Sequence, residues 1–288
     1  MKDKLAPFKG EADGSDWAVV TGASEGIGRS YALQLARCGY NVKLVARSVD
    51  KLESVANDAR ALNNAIRVEV VPLDVSRAAP SDFAALFNEK DRTSVVINNA
   101  GIMKNQRLLQ TDPALLEQMI KTNVHPYVYM TKHAIQHFLL HEKAHNHLNA
   151  LVYVSSSAAF ADMQLFGPYA GTKTHNLVLG NMVRDACLKS IGDLVTVQTV
   201  HPLSVTTNLN GYIDETPDAV PPDACASGSL CDLASHQKTG GAVRHTFLLN
   251  MMMPLFRSLL APLNLKAGLE HVEKDRRIIV EPYIDQRR

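Results

Sequence analysis

Three stretches of this chain carry residue types whose spacing could do chemistry. The first is Tyr169 and Lys173 in "YAGTK", downstream of serines at 155–157. Residues four apart share one face of a helix, and Pro168 suits that helix's first turn. A free tyrosine has a pKa of about 10, too high to trade protons at neutral pH. A nearby ammonium stabilises the phenolate and lowers that value. Lys173 can supply the ammonium, and its other donors can reach a ribose. A serine hydroxyl at the preceding strand end can hydrogen-bond a substrate carbonyl.

The second stretch is "VVTGASEGIGRS", where Gly22, Gly26 and Gly28 have the spacing G-x-x-x-G-x-G. Glycines permit a tight turn and let a diphosphate approach the backbone. The helix that follows presents free N–H groups and a positive dipole end to it. Which dinucleotide binds is read from the next apolar run, which ends in "LVARS". An NAD site usually has an acid there for the ribose 2′-hydroxyl. Ala46 takes that place and Arg47 follows, and a guanidinium suits a 2′-phosphate. The cofactor expected is NADP(H).

The third stretch is "HEKAH", 141–145, which fits the zinc-hydrolase pattern H-E-x-x-H. His133, His137, His141 and His145 recur every four residues, so they form one helical stripe. Nothing nearby supplies a third ligand at a known spacing. The stripe reads as a polar helix face, and no metal is expected.

Elements that could position these residues follow from the patterning. Six apolar, β-branched runs lie between residues 17 and 202: "WAVVTG", "NVKLVAR", "RVEVVPLDV", "SVVINNAG", "ALVYVSSS" and "LVTVQTVHP". Each reads as a strand buried on both faces. Segments of helical spacing separate them, which predicts a doubly wound parallel α/β sheet with helices on both faces. Pro126 interrupts a helical pattern just after Asn123 and should kink it. Such a kink frees a carbonyl to bind water beside Asn123. One domain is expected over 1–288, with a dinucleotide-binding and catalytic core at 17–203. Residues 204–265 should be a helical substrate lid across the open end of the sheet. The tail "DRRIIVEPYIDQRR" could add one short strand.

Composition excludes other classes. The chain has 288 residues, 46% of them hydrophobic, and a formal net charge of +1. No overall field therefore favours nucleic acid. Cys38, Cys187, Cys225 and Cys231 make no zinc framework and read as thiols in a reducing compartment. No run reaches the roughly 18 apolar residues of a membrane span. The nearest, 246–265, is broken by Pro254, Arg257 and Pro262, and leaves peripheral membrane contact open.

The motifs together resemble the short-chain dehydrogenase/reductase family. They are "TGASEGIG" (21–28), "LDV" (73–75), "NNAG" (98–101), Asn123 in "KTNVHP", the serine run and "YAGTK". The resemblance implies a single Rossmann-type domain with strand order 3-2-1-4-5-6, and a homodimer or homotetramer. It implies Tyr169 as general acid/base, Lys173 as its partner and ribose ligand, and Ser156 as carbonyl binder. Asn123 would hold the water of a proton relay. Gly22, Ser24, Gly26, Ile27, Gly28, Arg47, Asp74, Val75, Asn99, Val205 and Thr207 would line the cofactor site, with Asp74 at the adenine. Leu203 in "HPLSVTT" stands where much of the family has glycine. That departure is similar to the very-long-chain 3-oxoacyl-CoA reductases and the related 17β-hydroxysteroid dehydrogenases. It implies NADPH-dependent reduction of a ketone on an apolar substrate. The alternatives are a steroid 17-keto/17β-hydroxy oxidoreductase and a non-catalytic NADP-binding protein. That group often carries an N-terminal membrane anchor, and this chain is expected to lack one. A cytoplasmic protein is expected, with the cytosolic face of the endoplasmic reticulum as the place of any peripheral contact.

Overall fold

A computed structural model describes residues 1–10, 16–104, 106, 108–141, 147–160, 167–190, 194–210 and 219–249. The chain divides into two compact units, Met1–His245 and Thr246–Arg288. In the first, α1 (Lys2–Leu5) precedes β1 (Trp17–Thr21), α2 (Gly26–Arg37), β2 (Asn41–Ala46), α3 (Val49–Leu62) and β3 (Val68–Pro72). Then come α4 (Pro80–Ala84), β4 (Thr93–Asn98), α5 (Pro113–Asn123), α6 (His125–His141) and β5 (Asn149–Val154). The remaining elements of this unit are α7 (Gly167–Ser190), β6 (Val195–Val200), α8 (Pro222–Asp232) and β7 (Lys238–Thr239).

All seven strands are parallel, in the order β3-β2-β1-β4-β5-β6-β7. This is the expected order with one strand added. That strand comes from Lys238–Thr239; the tail 275–288 lies outside the described residues. Order reverses between β1 and β4, and such a switch point opens a crevice at the strands' C-terminal ends.

Alternate residues of each strand feed two cores, as a period of two requires. Ala18, Val20, Val42 and Leu44 pack with Tyr31 and Leu35 of α2 and Leu52 of α3. Val19, Val45, Val96 and Leu151 pack with Phe83 of α4, Met130 and Phe138 of α6, and Cys187 of α7. Strands β1, β2, β4 and β5 are buried throughout. The expectation fails at β3, where no residue is fully buried. As an edge strand of the sheet it has a neighbour on one side only.

Two further expectations need correction. The lid expected over 204–265 includes α8, yet α8 belongs to the layer that covers the sheet. Its Ala226 and Leu230 join the first core, and its Ser229 accepts a hydrogen bond from the buried Tyr31 hydroxyl at 2.6 Å. The part of that lid beyond residue 249 lies outside the described residues. At Pro126 the helix does more than kink. It ends at Asn123 and a new helix starts at His125, because proline cannot donate to the preceding turn.

Candidate active site

The glycine stretch forms the turn between β1 and α2. Gly22 has φ 66°, a left-handed conformation that side chains rarely adopt. Gly28 is needed for space: a Cβ there would lie 2.2 Å from the Gly22 carbonyl oxygen and 2.5 Å from Asn99 Nδ2. Asn99, just past β4, ties the turn down. Its Nδ2 donates to the Thr21 and Gly22 carbonyls at 2.9 and 3.4 Å, and its N–H donates to the Thr21 hydroxyl at 2.9 Å.

Above this turn lies a cleft of about 440 Å³. Gly22, Ser24, Gly26, Ile27, Arg47, Asp74, Val75, Asn99 and Thr207 all line it. Gly28 lies beneath the turn, outside that lining. Arg47 is exposed at the end of β2. Asp74 accepts from the Ser76 N–H at 3.0 Å and from its hydroxyl at 2.7 Å. Burial raises the Asp74 pKa, but these bonds with Arg47 and Arg77 outweigh it and leave it below the usual carboxylate value. Sequence reasoning missed Glu25 and Lys51, which also line the cleft and pair with each other at 2.7 Å.

A smaller recess of about 120 Å³ adjoins the cleft. Ile27, Asn99, Gly101, Met103, Thr207 and Leu209 line both. Ser156, Tyr169, Lys173 and Val205 line the recess only, with Leu203. Backbone bonds frame Ser156: the Ser155 N–H donates to Val200 O and the Ser157 N–H to Pro202 O, at 2.8 and 2.9 Å. Ser155, which the sequence did not separate from Ser156, is buried and donates to the Lys173 carbonyl at 2.7 Å.

Tyr169 and Lys173 share a face of α7, and both are buried. The Lys173 Nζ donates to Val154 O at 2.9 Å and lies 5.7 Å from the Tyr169 ring centre. Burial lowers the Lys173 pKa to about 7. The same cause acts on Tyr169, against the lowering expected from Lys173. Among protein groups alone, burial pushes Tyr169 up to about 12, and the Ser156 hydrogen bond offsets only part of that. Low polarity disfavours the charged form of both groups, and half-formed charge on Lys173 stabilises phenolate less than a full ammonium.

Asn123 is wholly buried and lines neither cavity. Its Oδ1 accepts from the Ile102 N–H at 2.8 Å, and its Nδ2 donates to Ile102 O at 2.9 Å and Thr172 Oγ1 at 3.0 Å. The side chain is therefore committed to clamping the loop after β4 onto α7. Its side-chain amide is used for position, so any bound water would have to meet the backbone.

The expected polar helix face fails at His137. His137 is 2% exposed, and its Nε2 accepts from the Thr93 N–H at 3.0 Å. Burial, then His141, depresses its pKa to about 4. Residues 142–145 of "HEKAH" lie outside the described residues, and among those described there is no group of three or more side chains that could hold a metal ion. Among the described residues no helix is long and apolar enough to cross a membrane. Cys38, Cys187 and Cys225 are buried free thiols, as expected, and Cys231 is half-buried and free.

These residues fit a dinucleotide: the turn excludes any Cβ at Gly28, and Arg47 supplies a cation at the cleft. A family model described as short chain dehydrogenase matches residues 16–218. A very-long-chain 3-oxoacyl-CoA reductase of Caenorhabditis elegans is 30% identical over 244 residues, covering 83% of this chain and 75% of that protein. The mouse (Mus musculus) 17-beta-hydroxysteroid dehydrogenase type 3 is 27% identical over 205 residues, 69% of this chain and 63% of that one. A short-chain dehydrogenase from Sphingobium yanoikuyae, solved in complex with NADPH, superposes with a TM-score of 0.71 at 23% identity. It covers 85% of this chain and 95% of its own.

Proposed function

The chain belongs to the short chain dehydrogenase family, and from that premise we propose that it reduces a ketone on an apolar substrate, such as a 3-oxoacyl-CoA, with NADPH. One observation carries the reading. The hydroxyl-bearing Ser156 and Tyr169 and the amine-bearing Lys173 meet in one recess with the apolar Leu203, Val205 and Leu209, directly beside the cleft above the glycine turn.

Bound there, NADPH would supply the hydride. The Ser156 hydroxyl holds the carbonyl oxygen, and with the Tyr169 hydroxyl it stabilises the charge that develops there. Tyr169, protonated at neutral pH, gives its proton to that oxygen. Lys173 then faces the phenolate and favours it while it persists. Asn123 keeps Ile102 and α7 in register, so the loop after β4 stays against the cleft. Arg47 favours a 2′-phosphate over a 2′-hydroxyl.

The likeness to the nematode reductase supports a long acyl substrate. The likeness to the mouse enzyme and the apolar wall of the recess support a steroid 17-ketone as the second reading. A non-catalytic NADP-binding role is disfavoured by the intact Ser156, Tyr169 and Lys173. We also propose a homodimer or homotetramer in the cytoplasm, with any membrane contact peripheral.

The test is NADPH consumption with a long-chain 3-oxoacyl-CoA and with a 17-ketosteroid, with NADH alongside. Turnover should favour NADPH, and Tyr169→Phe should lower kcat by about 10²- to 10⁴-fold while NADPH still binds. Full activity in Tyr169→Phe overturns the mechanism. Silence with both substrates overturns the substrate assignment.

A further inference from the structure

Lys173 is buried among groups that carry no negative charge. Among the described residues no carboxylate pairs with it. Its Nζ makes one hydrogen bond, to Val154 O at the end of β5. A second donor reaches the same oxygen: the Tyr127 hydroxyl, from α6, at 3.0 Å. The Tyr127 ring centre lies 5.5 Å from the Lys173 Nζ, and the Tyr169 ring centre lies 5.7 Å away. Both distances fall inside the range in which an aromatic face attracts a cation, and the attraction grows when water is excluded. The ammonium thus sits between two tyrosines, of which only Tyr169 lines the recess.

Tyr127 is itself held rigidly. It is 1% exposed, and its ring stacks on Tyr153 with centres 6.3 Å apart. The Thr131 hydroxyl bonds the Tyr127 carbonyl at 2.6 Å and the Tyr153 hydroxyl at 2.7 Å. A ring so fixed cannot be a movable proton carrier. Burial, and then the nearby Tyr169, keep its phenol far above the ordinary tyrosine value.

We propose that Tyr127 is a positioning residue for Lys173: its ring face holds the lysine as an ammonium aimed at Tyr169, beside the Val154 carbonyl to which both side chains donate. The Tyr127 ring does for Lys173 what a carboxylate does for most buried lysines, without adding a negative charge that would oppose the phenolate. The other groups that face Lys173 do not compete for this role. Tyr169 shares its helix. His201, after β6, is held near pKa 4 by burial and is neutral at working pH. Asn123 Oδ1 and the Lys173 Nζ both lie 3.4 Å from where a Cβ on Gly101 would stand, but Asn123 Oδ1 is already bonded to the Ile102 N–H. The proposal rests on reading Tyr169 and Lys173 as the proton-handling pair.

The test titrates Lys173 by NMR of ε-¹³C-lysine in protein without added cofactor, its signal assigned by Lys173→Met. Tyr127→Phe removes the hydroxyl and keeps the ring, so the Lys173 pKa should not fall. Phenylalanines of increasing fluorination at 127 then weaken the ring's attraction at nearly constant size. The pKa should fall stepwise, by about one pH unit, or tenfold in ionisation constant, over the series. The alkaline limb of the kcat profile should move down with it. A flat series overturns the proposal, as does a fall in kcat with no movement of the Lys173 titration. A normal series in a protein without reductase activity supports the role of Tyr127 and overturns the assigned reaction instead, so the two fail separately.

Discussion

Two lysines are buried near opposite ends of the sheet's strands, and the protein treats them differently. Lys43 of β2 and Lys173 of α7 each have side chains about 3% exposed. Around Lys43 stand Glu69 at 3.6 Å, Asp91 at 4.0 Å, the Leu86 carbonyl at 3.1 Å and the Trp17 ring at 5.2 Å. Around Lys173 stand one carbonyl and two tyrosine rings. A lysine that only has to be stable receives counterions. A lysine that has to respond to a neighbour's proton is denied them, and its pKa falls to about 7. The difference shows that burial alone does not mark a functional charge; burial without a partner carboxylate does.

The largest effect that could break this contrast comes from Lys173→Met. It should reduce kcat by about 10²-fold or more and yet raise the melting temperature. The sign follows from the shift. The folded pKa of about 7 lies below the ordinary lysine value of 10.5, so the fold is penalised most at and below pH 7. The penalty shrinks as pH rises toward the unfolded value. The stability gain in the variant should therefore be greatest near pH 6 and fade above pH 7, read by thermal melts across pH. A variant that loses stability at pH 6 would contradict the account.

Lys43→Met should do the reverse. Activity should stay near that of the parent, while stability drops by about 1–2 kcal/mol, because Glu69 and Asp91 lose a partner but remain partly hydrated. Denaturant midpoints measure this. A large loss of kcat would place Lys43 in the site and remove the contrast.

The smallest effect sharpens the same end of the sheet. His137 is buried and held neutral, with a folded pKa of about 4 against an ordinary 6.5. Its stability contribution is complete above pH 6.5 and is lost as pH falls toward 4. Melting temperature should decline over that window in the parent and decline less in His137→Gln, whose amide oxygen can still accept from Thr93.

The cofactor end was legible because the backbone's own requirements are written in residue types. Gly22 and Gly28 answer to a left-handed turn and a contact with no room for a Cβ, and both constraints act within a few residues of chain. The nearly unbroken apolar runs in "WAVVT" and "NVKLVA" likewise report burial on two faces without knowledge of the partners. The lid was misread because α8 and a cover helix share one composition; only Tyr31 meeting Ser229 across almost two hundred residues tells them apart. The histidine stripe was misread for a related reason. Helical spacing shows that His133, His137 and His141 align, but the Thr93 N–H that captures His137 comes from a strand forty-four residues away.

From its sequence alone, this protein determined its apolar strands, its glycine turn, the placing of Tyr169 and Lys173 on one helix face and the basic residue that follows β2. Each depends on local spacing, and local spacing is preserved when the chain folds. Tertiary structure decided the rest. It set aside Asn123 as a clamp, raised Tyr169 and lowered Lys173 by excluding water, and brought Tyr127 to the carbonyl that Lys173 uses. Those outcomes depend on which atoms surround a charge, and the surroundings of Lys173 are drawn from α6, β5 and α7, which meet only when the sheet is complete.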